Sequence, residues 1–314
     1  MGYYVVRRLV LFIPTVILVS VVVFLLVRLI PGNPAYVLLG PNATQAQVTQ
    51  VTHSLALDQP LWTQYVVWVA HILHGNFGDS YINDFPVTQL ILQKLPATIE
   101  LAVGAIIISL VVSFPLGILS ALHNRHWIDH VASLYNALAM GMPVFWLGIL
   151  LVLVFSFQLH LAPPSGYTPV TASPVQGLRF LTLPAITLGV SLSGILSRFI
   201  RSSILAVLSQ DYVRTARAKG LSQRAVIGRH VLKNALIPII TIVGLQFGGI
   251  LGGVVIVETV FQWPGLGSLL VTSILTRDYT VVQAVILLAV VTYMVVNLVT
   301  DIVYTYVNPR VQMA

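Results

Sequence analysis

Apolar residues along this chain follow neither the alternation of a half-buried strand nor the single stripe of a soluble helix. They come in long runs. Six runs reach the length a bilayer core demands, about 20 residues at about 1.5 Å rise, with their charges gathered near the ends. They cover residues 9–30, 97–122, 131–159, 181–204, 235–257 and 280–307. Each is read as a helix, because a backbone amide in lipid finds no water and must bond within its own segment. The first run comes after Arg7 and Arg8 but is too long for the apolar region of a secretory signal, and no small-residue cleavage site comes after it, so it reads as a retained helix.

Two intervening stretches have patterns of their own. Residues 31–96 are long for a passive connection. Within them Asp58, Gln59 and Pro60 mark a helix start, and Trp62, Tyr65, Val66, Val69 and Leu73 recur at helical spacing before Gly75. This predicts a short amphipathic helix lying on the membrane surface or packed over the bundle, with a docking surface for an external partner as the functional alternative. The second stretch, about 209–234, holds Arg214, Arg217, Lys219, Arg224, Arg229 and Lys233 against Asp211 alone. Val213, Ala216, Leu221, Ala225, Val226 and Leu232 are interleaved and Gly220 breaks the middle. That predicts two short helices meeting at a glycine turn and presenting an apolar knuckle to another protein. The chain thus divides into residues 1–30 with the first span, 31–96 outside the membrane, and 97–314 with five further spans.

Composition agrees with a polytopic membrane protein: 57% of the 314 residues are hydrophobic and 8% charged, against about 25% charged in soluble domains. The net charge of +7 sits at the edges of apolar runs and not on one polar face, which argues against a nucleic-acid partner. With the N-terminus in the cytoplasm, twelve of the sixteen Lys and Arg face inward, leaving Arg28, Lys94, Arg179 and Arg277 outside. This topology also places the C-terminus in the cytoplasm. Arg28, Arg198 and Arg201 lie close enough to span ends to snorkel to headgroups. With no Cys, thiolate chemistry is excluded.

Catalytic motifs are missing. None of Lys94, Lys219 and Lys233 lies in a phosphate-cradling GxxxxGK[ST] loop, and neither HExxH nor GxSxG occurs. His123, His126 and His130 share a helical spacing but read as solvated residues, not metal ligands. No catalytic or metal residues are assigned. Gly244, Gly248 and Gly252, with Gly249 and Gly253 offset by one, form a small-residue face suited to close helix packing. Gln246 and Asn297 read as interhelical hydrogen-bonding residues, Gln246 also as a candidate on a substrate pathway. Glu100 and Glu258, the only glutamates, fall at the outer ends of their spans and are candidate contacts for an entering cationic group.

The run Asp211, Tyr212, Val213, Arg214, Thr215, Ala216, Arg217, Ala218, Lys219, Gly220, Leu221 resembles the EAA loop of permease subunits in bacterial binding-protein-dependent ABC importers. It is most similar to the dipeptide and oligopeptide branch, of the dipeptide permease B kind. Arg7–Arg8, residues 31–34, Leu95 to Thr98 before Glu100, Pro163 to Tyr167, Leu183–Pro184, Trp263 to Gly267 and residues 308–310 carry the likeness over nearly the whole chain. Arg214 stands where the general pattern has glutamate, Thr215 replaces its first alanine, and Asn33 and Asn308 replace acidic residues.

The resemblance implies an all-α type I importer permease fold with six transmembrane helices in the bacterial plasma membrane. It also implies a second, homologous permease, two ATP-binding subunits that hold ATP and magnesium, and an extracytoplasmic peptide-binding protein, with lipid around the bundle. Residues Arg214, Thr215, Ala216, Arg217, Ala218, Lys219, Gly220, Leu221 and Ser222 would form a coupling helix seated in a cleft of one ATPase. The expected cargo is dipeptides or short oligopeptides, the alternatives being nickel, glutathione or another small solute. A secondary transporter is disfavoured, since no carboxylate falls at a span midpoint and no inverted repeat is visible.

Overall fold

The computed structural model describes residues 2–29, 44–54 and 58–307, so residues 31–34 and 308–310 lie outside them. The described residues are helical apart from turns and one isolated bridge between Asp79 and Pro86. In chain order the helices are α1 (Gly2–Leu29), α2 (Gln45–Ser54), α3 (Leu61–Leu73), α4 (Val87–Leu122), α5 (Trp127–Gly141), α6 (Val144–Leu151), α7 (Pro174–Leu208), α8 (Asp211–Ala218), α9 (Gln223–Ala225), α10 (Lys233–Val260), α11 (Leu266–Leu275) and α12 (Tyr279–Val307). Wider π-helical turns, Val152–Gln158 and Val226–Leu232, extend α6 and join α9 to α10.

Three helices, α4, α7 and α12, are long and apolar enough to cross a membrane, and two bent pairs bring the number to as many as five. In α1 the apolar run is Val10–Leu26. One of the bent pairs corrects the expected straight span over 131–159. Its two halves meet at 104°, because Met142, preceding Pro143, is held extended (φ −81°, ψ 130°) and the helix must stop there. Prolines 96, 115 and 184 sit inside helices that continue past them, as neighbouring helices in a bundle permit. Neither α2 nor α11 is expected from the sequence.

The frame is the pairing of α4 with α7. A side chain at Gly117 would run into Ile200 and one at Gly189 into Ile108, each at 2.7 Å, so these glycines let the two helices close together. Two apolar clusters fill opposite ends of the bundle. One gathers Leu101, Leu188, Val257, Phe261 and Trp263; the other gathers Ala121, Ile200, Ile204, Val213, Val226 and Ile239. Ala97 of α4 belongs to the first and Ala121 to the second, a separation of about 36 Å of helix.

Helix α3 packs over α1 instead of standing apart. Tyr65 and Ser20 share a hydrogen bond of 2.7 Å, Arg28 Nε donates to Gln64 Oε1 at 3.0 Å, and Phe24 meets Tyr65 edge-on with centroids 5.3 Å apart. The apolar stripe read from the sequence is therefore split: Tyr65 turns toward α1, while Trp62, Val66 and Leu73 are exposed on the far side. Arg28, expected to reach headgroups, is held over the Phe24 ring at 3.5 Å.

Candidate functional site

Residues 210–226 fold into a short helix with a defined start and stop. Asp211 in the first turn of α8 and Arg217 in the last complement the helix dipole. Beyond Lys219, Gly220 takes φ +80°, its N–H donates to the Arg217 carbonyl at 2.9 Å, and the Leu221 N–H reaches back to the Ala216 carbonyl at 3.4 Å. That pair of reversed hydrogen bonds is a Schellman stop, and its left-handed residue is glycine for want of a Cβ. Ser222 then begins the next helix, its hydroxyl accepting from the Ala225 N–H at 3.4 Å. In place of the second separate short helix that the sequence suggested, the chain winds through the π turn Val226–Leu232 into α10.

Burial divides this segment sharply. Val213, Ala216 and Val226 are buried in the cluster formed with Ala121, Ile200 and Ile204, so the apolar knuckle expected to face a partner is turned mostly into the chain's own bundle. Burying a valine this way is worth about 1.5 to 3 kcal/mol. Ala216 is buried in the same cluster, and α8 lies chiefly against the π turn Val226–Leu232. Exposed are Tyr212, Arg214, Thr215, Arg217, Ala218, Lys219, Gly220, Leu221, Ser222 and Arg224. Arg214 makes a loose contact of 3.6 Å with Asp211, both well exposed, which contributes little. The outward face is thus basic, with Leu221 as its apolar prominence.

Next to this seat lies a polar clamp that sequence spacing does not reveal. Buried Asp129, in the first turn of α5, accepts from Arg201 Nε at 2.7 Å and Nη2 at 2.8 Å. Ser120 Oγ donates to it at 2.6 Å and the Arg125 N–H at 2.9 Å, and Arg201 also donates to Asn124 Oδ1 at 2.9 Å. The clamp joins α4, the turn after it, α5 and α7, and it corrects the headgroup role expected of Arg201. His123 and His126 cap the helix ends on either side of that turn, and no cluster of three metal-binding side chains occurs among the described residues.

At the opposite end of the bundle, Glu258 is fully buried. Thr98 Oγ1 donates to its Oε1 at 2.7 Å and the Ser268 N–H to its Oε2 at 2.8 Å, so the carboxylate caps the N-terminus of α11. Trp263 Nε1 donates to the Ala97 carbonyl at 2.8 Å beside it. Glu258 is therefore a fastening, enclosed away from any entering group. Glu100, two residues beyond Thr98, is half-buried, accepts from the Val170 N–H at 3.2 Å, and borders a cavity of about 450 Å³ walled by Ile99, Val103 and Leu181. Gln246 donates to the Leu192 carbonyl at 3.0 Å and ties α10 to α7. These three candidates do not converge on one site. Asn297 Oδ1 makes no hydrogen bond among the described residues.

On the glycine face of α10, a Cβ at Gly244 would collide with Thr300 and one at Gly248 would fall 2.6 Å from Tyr293, so α12 crosses there at close range. The surroundings of Gly249, Gly252 and Gly253 lie outside the described residues. A further buried carboxylate has no signal in the sequence: Asp278, just before α12, accepts from Ser80 Oγ at 2.5 Å and the Tyr81 N–H at 3.3 Å, pinning the 75–86 loop.

A bundle of long apolar helices with one basic surface held rigidly at one end belongs to the class of membrane transport components. Residues 113–313 match the family described as "Binding-protein-dependent transport system inner membrane component", and residues 1–102 match its N-terminal counterpart. The chain belongs to this family, an inner-membrane permease subunit of an ABC importer. It is 41% identical over 312 residues to "Probable peptide ABC transporter permease protein y4tP" of Sinorhizobium fredii, covering 99% of this chain and 100% of that one. To "Glutathione transport system permease protein GsiC" of Escherichia coli K12 it is 40% identical over 309 residues, 98% of each. Among solved structures, an inward-facing MetNI methionine ABC transporter chain superposes with a TM-score of 0.60 at 14% identity, covering 70% of this chain and 97% of the other. The fold is that of a type I importer permease.

Proposed function

We propose that this permease carries short peptides, with six crossings, both termini in the cytoplasm and α8 as the element that receives the ATPase stroke. The relatives' names support the cargo: one is a peptide permease and the other a glutathione permease, and glutathione is itself a short peptide with free carboxylates. ATP and magnesium belong to two partner ATPase subunits, a second permease completes the pathway, and an extracytoplasmic binding protein delivers the peptide. The observation that carries the reading is the division of α8. Val213 and Ala216 fix it to the bundle while Arg214, Arg217, Lys219 and Leu221 face outward, so a push on the exposed face is transmitted through the π turn Val226–Leu232 to α7 and α10 as a lever movement.

The test is the full transporter in proteoliposomes. Gly220→Trp and Arg217→Glu are expected to leave assembly in the membrane intact while separating ATP hydrolysis from peptide uptake. Uptake at the normal rate in both variants would overturn the assignment of α8. Uptake of nickel in place of peptide would overturn the cargo alone.

A further inference from the structure

Between the π turn Val152–Gln158 and the first two turns of α7 lies a cavity of about 430 Å³, within the range of small-ligand sites, about 300 to 1,000 Å³. Arg179 in its wall is about 33 Å of helix from Arg201 in the clamp, the thickness of a bilayer core. The cavity thus lies at the end of the bundle opposite α8. Its polar lining is Ser156, His160, Gln176 and Arg179, with no aspartate or glutamate. All four carry donors, and none of their side chains makes a hydrogen bond or ion pair among the described residues. Ser156 is 8% exposed. The unpartnered hydroxyls of Ser109, Ser113 and Ser197 are sealed inside the bundle, whereas the Ser156 Oγ, equally unpartnered, keeps accessible surface at the cavity it lines.

The donors select an anion. A cation would find no carboxylate here, and an apolar ligand would leave the Ser156 hydroxyl dry and unpaired. Helix α7 adds to the bias, for it begins without a side-chain cap and without an acid in its first turn, so the positive end of its dipole is unneutralised. Gln176 and Arg179 are exposed and lie three residues apart on one face of α7, so both heads can turn onto a group held at Ser156. The planar guanidinium matches the two oxygens of a carboxylate. We propose that this cavity binds a carboxylate, that of the peptide cargo at the outer mouth of the permease, on Arg179, Ser156 and Gln176, with Phe180 and Pro164 as the apolar wall beside it. The identity of the carboxylate rests on the peptide reading of the cargo; the anion chemistry does not.

Saturation-transfer NMR on the purified transporter, assembled with its second permease and ATPase subunits but without the binding protein, tests this with dialanine and dialanine amide as probes. Dialanine is expected to bind about tenfold more tightly than the amide, which lacks the negative charge. Arg179→Gln should remove that preference, and Ser156→Ala should weaken dialanine binding about threefold, each at the thermal midpoint of wild type. Equal binding of the two probes, or variants that keep the full preference, would overturn the proposal. Displacement of dialanine by short-chain phosphatidylglycerol but not by acetate would overturn it in favour of a lipid phosphate. Uptake in proteoliposomes separates the site from the cargo. A preference that follows Arg179 without any dialanine uptake would overturn the cargo and leave the carboxylate site, whereas uptake with equal binding of the two probes would overturn the site and leave the cargo.

Discussion

The two ends of the bundle bury carboxylates in different ways. At the basic end Asp129 is answered by a full cation, Arg201, through two hydrogen bonds. At the other end, Glu258 and Asp278 form no ion pair among the described residues and are held by hydroxyls and by backbone N–H groups at the starts of α11 and α12. A helix N-terminus there does the work of a charge. Such a cap is short and directional, so it fixes one helix end to one loop. The ion pair with its surrounding donors links four segments at once, through the planar fork of the guanidinium. The first fastens one helix end to one loop, the second gathers the roots of α4, α5 and α7.

Variants break this comparison at graded cost. Glu258→Ala should have the largest effect, about 3 to 5 kcal/mol, since the Thr98 hydroxyl and the α11 amides lose their acceptor in a closed space. A thermal midpoint within a degree or two of wild type would show that the cap is dispensable. Arg201→Met should cost less, about 2 to 3 kcal/mol, because the guanidinium is partly exposed although its loss strands Asp129. A double-mutant cycle with Asp129→Asn should recover part of that loss, and strict additivity would argue that the pair is not coupled. Gly220→Ala should cost about 1 kcal/mol, for its Cβ meets nothing within 4 Å and only the left-handed backbone is strained. Last in stability, Arg217→Glu should lie within about 0.5 kcal/mol of wild type yet remove most peptide-stimulated ATP hydrolysis in the assembled transporter. A large loss of stability there would mean that Arg217 serves the fold.

Local pattern makes the spans and the Gly220 turn legible, because apolar length and a left-handed stop are properties of neighbouring residues. The break at Met142 is not legible, since prolines 115 and 184 inhabit similarly apolar runs and do not interrupt them. Which proline ends a helix depends on what the freed carbonyls find across the bundle. The Asp129–Arg201 clamp joins residues 72 apart, and nothing near either one announces the other. Glu258 is visible as a rare acid, but its role depends on α11, whose ten residues are too few to register as a span. For α8 the alternation of apolar and basic residues is plain. Which face turns inward is not, because only the folded bundle brings the ends of α4 and α7 beside it.

The π turn Val226–Leu232 sets the phase of all of α10 beyond it. A π bulge accommodates one residue more than an α-helix would, so α10 leaves it offset by about 100° and about 1.5 Å from the screw that α9 began. Deleting a single residue between 226 and 232 would let the turn revert to α-helix and keep Gly244 and Gly248 on the line where Thr300 and Tyr293 pass, whereas deleting one between 233 and 243 would turn them about 100° off it.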